Sequence, residues 1–133
     1  MQGRVTTDQE TKGKEFLCVA TYLPVRRWRH LLPFLRMTSK VMNQLKKSEG
    51  AIRYTVKADF PKKRFWTLSI WSSKDALRRF VMSEPHATAV RKFSEWAGEG
   101  AAFVEWSSAT DLIGWNEALQ RLQNPTFYYR KEK

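Results

Sequence analysis

The chain is expected to fold as one α+β domain of the ferredoxin-like type, βαββαβ, with a four-stranded antiparallel sheet, helices on one face and an extra C-terminal helix. Three observations lead there. Segments of strand and helix character follow one another as strand, helix, strand, strand, helix, strand. Residues 51–59 (AIRYTVKAD) alternate apolar and polar side chains with a period of two. Between residues 31 and 47, apolar side chains recur at steps of three and four, as on one side of a helix.

The totals suit this architecture. With 133 residues, 42% hydrophobic and 14% aromatic, the chain can enclose one core. Residues 1–14 (MQGRVTTDQETKGK) are polar and lack the apolar centre of a secretory signal, so they read as a flexible leader to a cytoplasmic protein. The domain proper is placed at 15–124, with 125–133 as a tail. No apolar run approaches the roughly 20 residues that span a bilayer, and no membrane partner is expected.

Taken in order, Phe16 to Leu23 (FLCVATYL) is nearly continuous apolar sequence, as in a strand covered on both faces, and Pro24 ends it. Leu31 to Lys47 forms the first helix, with Leu31, Leu35, Thr38, Val41, Met42 and Leu45 on its apolar side and Pro33 in its first turn. Gly50 is the residue suited to the left-handed conformation that closes it. Ala51 to Asp59 and Arg64 to Trp71 flank a short turn and should pair as a hairpin. Ser72 or Ser73 caps the next helix, which Pro85 interrupts. A second helical piece runs from there to about Ala97 with Ala89, Val90, Phe93 and Trp96 inward. Ala101 to Ser107 is the fourth strand, and Asp111 to Leu122 is an amphipathic segment. Phe127, Tyr128 and Tyr129 make the tail apolar enough to dock.

A ferredoxin-like sheet has a second face, and its contents decide the function. Giving Trp66, Leu68 and Ile70 to the helix layer leaves Phe65, Thr67, Ser69 and Trp71 on the other side. Arg53, Thr55 and Lys57 would lie beside them, with Phe103, Glu105 and Tyr22. Such a mixed face either stacks nucleic-acid bases or packs against a second sheet around a cavity. If a second subunit buried it, Arg53 and Lys57 would need partners, for which Glu105 and Asp59 are the candidates.

The net charge of +11 raises the question of an anionic partner. The basic residues are spread over the whole chain, however, and the third strand lacks the glycine-aromatic pattern of an RNA-recognition sheet, so nucleic acid is not expected. Cys18 is the only cysteine, and its apolar surroundings suggest a buried, inert thiol. With His30 and His86 as the only histidines, no metal site is expected.

The run T-L-S-I-W-S-S-K-D-A-L at residues 67–77, followed by F-V-M-S-E-P-H-A at 80–87, resembles the dimeric α/β barrel superfamily that contains the antibiotic biosynthesis monooxygenase-like proteins. E-A-L-Q-R-L at 117–122 with Pro125 to Phe127 is similar to an uncharacterised bacterial branch of it. The resemblance implies a homodimer with a small-molecule cavity and a monooxygenase-like, cofactor-independent oxidoreductase acting on an activated organic substrate, acidic or aromatic. It implies Trp71, Phe65, Ser69, Thr67, Arg53, Phe103 and Glu105 as cavity lining, and His86 or Tyr22 in proton transfer. Haem-degrading members of the superfamily use a first-strand asparagine, where this chain has Thr21 and Tyr22, so no cofactor is expected. Non-enzymatic ligand binding or an interaction role on the same fold is the alternative.

Overall fold

The computed structural model describes residues 15–130; the stretch read as a leader, 1–14, and residues 131–133 lie outside the described residues. Strand β1 (Phe16–Pro24) leads through a 3-10 turn (Trp28–His30) into helix α1 (Leu31–Lys46). Strands β2 (Ala51–Asp59) and β3 (Arg64–Trp71) form the hairpin, and helices α2 (Lys74–Met82) and α3 (His86–Trp96) follow in succession. Strand β4 (Ala102–Ser108), helix α4 (Trp115–Arg121) and a short strand β5 (Phe127–Tyr128) complete the order.

The architecture is the expected α+β one, with one addition. The sheet has five strands in the order β2-β3-β1-β4-β5, antiparallel throughout, instead of four. The fifth comes from the segment read as a tail: Phe127 pairs with Phe103 and Tyr128 with Ala102. The backbone N–H groups of Thr126 and Tyr129 donate to Phe103 O and Ala101 O at 2.9 and 2.7 Å. Two residues are too few to show period-two alternation, so this strand left no pattern to find.

Local chemistry explains the element ends. Ser73 is the cap of α2, its Oγ accepting the Ala76 N–H at 3.1 Å. Gly50 takes φ 89°, and a Cβ there would stand 2.4 Å from that of Ala76, so glycine lets the β2 entrance press against α2. At the Pro85 break, Glu84 accepts the Thr88 N–H at 3.1 Å and so caps the first turn of α3.

The two sheet faces are not those expected. Cross-strand partners share a face, and Lys57 stands opposite Trp66 while Tyr54 stands opposite Ser69. Phe65, Thr67, Ser69 and Trp71 therefore face the helix layer α1 to α3, together with Phe103 and Glu105. Trp66, Leu68 and Ile70 lie on the far side with Tyr22, Arg53, Thr55 and Lys57. The assignment of β1 and β2 survives and that of β3 and β4 is reversed. β3 carries large apolar side chains on both sides, Phe65 and Trp71 on one and Trp66, Leu68 and Ile70 on the other, so alternation separates its two sets without saying which goes inward.

The far face is apolar because it too is partly covered. Ala118 of α4 is fully buried and clusters with Cys18, Ala20, Leu68, Ile70, Val104 and Trp106. On the helix side there are two separate clusters. One gathers Leu17, Leu45, Trp71, Leu77 and Phe80; the other gathers Val25, Phe34, Phe65, Phe93 and Ala97. Each large side chain so buried is worth about 1.5–3 kcal/mol, and α1 contributes to both ends through Leu45 and Phe34.

Candidate functional site

The middle of the helix-facing sheet surface is polar. Thr21, Thr67 and Ser69 lie there on β1 and β3, between the two apolar clusters and opposite the central turns of α1. These short side chains reach less far toward α1 than the large ones at either end, and the layers stay apart at this level. The result is a cavity of about 620 Å³ between the sheet and α1, α2 and α3. Its walls are mostly apolar: Met37 and Val41 of α1, Leu77 and Val81 of α2, Ala89 and Val90 of α3. Phe103, Glu105, Phe127 and Tyr129 line it from β4 and the C-terminal segment, and His86 from the start of α3.

The hydroxyls satisfy one another. The Thr21 and Thr67 hydroxyls are hydrogen-bonded across the strand pair, and the Thr67 N–H donates to Thr21 Oγ1 at 3.2 Å. Ser69 Oγ accepts the indole N–H of Trp71 at 2.9 Å. Trp71 itself is completely buried, 5.0 Å from Phe80 between ring centroids, and stands behind the wall instead of in it. Phe65 is likewise packed away, against Phe34 and Phe60. Of the residues expected to line a cavity, the fold brings together Thr67, Ser69, Phe103 and Glu105.

His86 also joins this group. Its backbone N–H donates to Gln44 Oε1 at 2.9 Å, and Gln44 Nε2 donates to Phe80 O at 3.0 Å, so one α1 side chain fastens the junction of α2 and α3. His86 Nδ1 lies 3.2 Å from Val81 O. A carbonyl only accepts, so this contact puts the ring proton on Nδ1 and leaves Nε2 as the basic nitrogen. Burial holds the His86 pKa below the ordinary histidine value, against a smaller upward pull from the Val81 hydrogen bond. The ring is therefore neutral at pH 7.

Tyr22 and Arg53 stand elsewhere. Tyr22 is on the far face, 5.6 Å from Trp66 between ring centroids, and shares no wall with His86. Arg53 is on that face too, 3.6 Å from Asp111. The partners expected for Arg53, Asp59 and Glu105, are otherwise placed: Asp59 pairs with Arg64 at 2.9 Å and Glu105 lines the cavity. An outer depression of about 450 Å³ between α1 and α2 carries Lys40, Lys47 and Arg79 beside Glu49 and Glu84. Its mixed, exposed charges make the inner cavity the better candidate.

Three contributors escaped sequence reasoning. Gln44 carried no signal, since a polar residue in a helix reads as surface. Thr21 was hidden in an apolar strand. Tyr129 belonged to the supposed tail; its ring meets Phe93 edge to face at 5.4 Å, and burial pushes its phenol up to about 12. The phenol stays protonated throughout the physiological range. Among the described residues no cluster of three or more His, Cys, Asp or Glu could hold a metal ion. Burial, followed by the negative charge of Glu117, raises the Cys18 thiol to about 11. At neutral pH that group is an inert thiol in the far-side core.

A family model described as a domain of unknown function (DUF3291) matches residues 36–125. No curated protein matches the chain. Among solved structures, Rv0793 from Mycobacterium tuberculosis superposes with a TM-score of 0.62 at 11% identity, over 74% of this chain and 99% of that one. SnoaB, a cofactor-independent oxygenase from Streptomyces nogalater, superposes with a TM-score of 0.57 at 13% identity, over 76% of this chain and 99% of that one. A conserved protein from Methanosarcina mazei Go1 gives 0.61 at 16% identity, over 68% and 90%. Identities this low establish a shared fold, that of the antibiotic biosynthesis monooxygenase-like proteins.

Proposed function

Because the chain belongs to the DUF3291 family and shares the fold of antibiotic biosynthesis monooxygenase-like proteins, we propose that its inner cavity binds an electron-rich organic molecule and oxidises it with O₂. The observation that carries this reading is the cavity itself: mostly apolar walls around a neutral histidine, a carboxylate and a row of hydroxyls.

In this mechanism Nε2 of neutral His86 takes a proton from an activated C–H of the substrate. The carbanion reduces O₂ and combines with it to give a peroxide anion, which recovers the proton from the imidazolium. Loss of water by cleavage of the O–O bond then converts a methylene to a carbonyl. The substrate supplies all four electrons, so the step requires neither a reductant nor a bound cofactor. Thr67, Ser69 and Glu105 orient the polar edge of the substrate by hydrogen bonds, and the protonated Tyr129 phenol is a donor available to a developing oxyanion.

Oxygen uptake and ketone formation with a panel of anthrones, whose ring methylene is acidified by the carbonyl opposite, tests this without added cofactor. His86→Gln should lower turnover by about 10²-fold or more, while Tyr22→Phe on the far face leaves it unchanged. Equal turnover in His86→Gln contradicts the mechanism. Tight binding of these compounds without oxygen uptake favours the non-enzymatic ligand-binding role instead.

The same reading has the chain act as a cytoplasmic homodimer. Room for a second copy exists on the far face beyond α4, where Tyr22 and Trp66 lie with Lys57, whose ammonium is 5.9 Å from the Trp66 ring centroid. Light scattering at micromolar concentration should give twice the mass of one chain; a stable monomer contradicts the dimer.

A further inference from the structure

At the end of the sheet where β1 leaves it, the link into α1 lies against the β2–β3 turn. The Val25 N–H donates to Lys63 O at 2.8 Å. Lys63 holds a left-handed backbone with φ 55°, a costly choice for a residue other than glycine. Its ammonium stands 4.7 Å from the ring centroid of Trp28. Trp28, Leu32 and Phe60, which belong to these adjoining segments, are 59%, 58% and 52% exposed. None of the three lines the inner cavity or the outer depression described above.

The surrounding charge is mostly positive. Arg26, Arg27, Arg29 and Lys62 are exposed, and Lys63 is half-buried. The carboxylate in the turn, Asp59, is taken by Arg64 at 2.9 Å, and the Arg26 guanidinium reaches Glu95 O of α3 at 3.4 Å. His30 records the crowding: burial first, then the charges of Arg29, Arg26 and Arg27, hold its pKa below the ordinary value, against a smaller upward pull from Glu95.

We propose that this end of the sheet is a docking surface for an anionic lipid bilayer, with Trp28, Leu32 and Phe60 entering the interface and Arg26, Arg27, Arg29, Lys62 and Lys63 meeting headgroup phosphates. Exposed apolar side chains ringed by cations match a surface that is anionic outside and apolar just beneath. A single-stranded nucleic acid fits less well, because Leu32 offers no ring for stacking and Lys63 already covers Trp28. A second copy of the chain would bring like charges together. Surface contact needs no spanning helix, and the described residues contain none. It revises the expectation of no membrane partner, which rested on the lack of a spanning segment.

Co-sedimentation of the full chain with phosphatidylcholine vesicles, with and without about 30% phosphatidylserine at about 0.1 M salt, tests the proposal. Binding should be at least about tenfold tighter to the anionic vesicles and fall roughly fivefold for each of Arg27→Gln and Lys62→Gln. The double variant Trp28→Ser/Phe60→Ser, which leaves the charge unchanged, should weaken it at least about fivefold. Both side chains are more than half exposed, and far-ultraviolet circular dichroism should show unaltered secondary structure. No binding to anionic vesicles overturns the proposal. So does binding that ignores the Trp28/Phe60 variant, or a tighter complex with a mixed-sequence oligonucleotide that excludes vesicles.

Discussion

The two faces of the sheet are both covered, but by different means. On the far face α4 seals a cluster with the small Ala118 against Cys18, Ala20 and Leu68, enclosing the inert thiol and the buried indole N–H of Trp106. On the near face three helices cover a surface whose centre is Thr21, Thr67 and Ser69, and the layers close only at the two ends. A small residue against close neighbours lets one face pack shut; short Thr and Ser side chains between large ones leave the other open. In this fold the short residues in the middle of β1 and β3 leave the space, and the aromatic residues at the ends of β3 pack its two margins.

The contrast can be broken at its supports first. Trp71→Ala removes the largest buried side chain of one apolar end and should cost about 3–5 kcal/mol in urea unfolding. A cost below about 1 kcal/mol would mean that Trp71 is no support. Ionisation of Tyr129 comes next. Its folded pKa is raised to about 12, so the unfolded phenol ionises first, and stability should be lost as pH rises from about 10 to 12, on the order of 2 kcal/mol. Tyr129→Phe should abolish that loss. On the far face, Ala118→Leu overfills a sealed contact and should cost about 1–3 kcal/mol without affecting ligand binding.

Thr67→Val should change stability by no more than about 1 kcal/mol, because it exchanges one hydrogen bond for apolar area, yet weaken a hydroxylated ligand by a similar amount. His86 sharpens the chemistry of the near face. Its folded pKa is depressed, so the unfolded ring protonates first, and both stability and turnover should decline as pH falls below the ordinary histidine value near 6.5. The acid limb of the rate profile should vanish in His86→Gln. Smallest of all, Arg53→Ala removes a half-exposed ion pair on the far side and should cost under about 1 kcal/mol.

Much of this architecture can be read from residue order alone. The alternation in 51–59, the cap at Ser73, the left-handed turn at Gly50 and the break at Pro85 are local features, and local features survive folding. What could not be read was which way β3 and β4 face. Arg64 to Trp71 has large side chains at nearly every position, because its two sides meet α1–α3 and α4 respectively, and a strand covered twice carries no inward mark. That reversal moved Tyr22 and Arg53 away from His86 and placed Trp71 behind the wall, while Thr67, Ser69, Phe103 and Glu105 remained together in the cavity. Gln44 and Tyr129 depend on contacts across the fold, between residues 42 apart in one case and 36 apart in the other (93 to 129), and no nearby pattern announces them.

On the proposed reading the near face, and not the far one, holds the ligand. Amide chemical shifts followed during titration with an anthrone in the absence of oxygen distinguish the two directly. Saturable shifts are expected at Thr67, Ser69, His86 and Val90, with Tyr22, Trp66 and Lys57 unmoved. Shifts confined to Tyr22 and Trp66, or none at His86 and Thr67 while the compound binds, would contradict it.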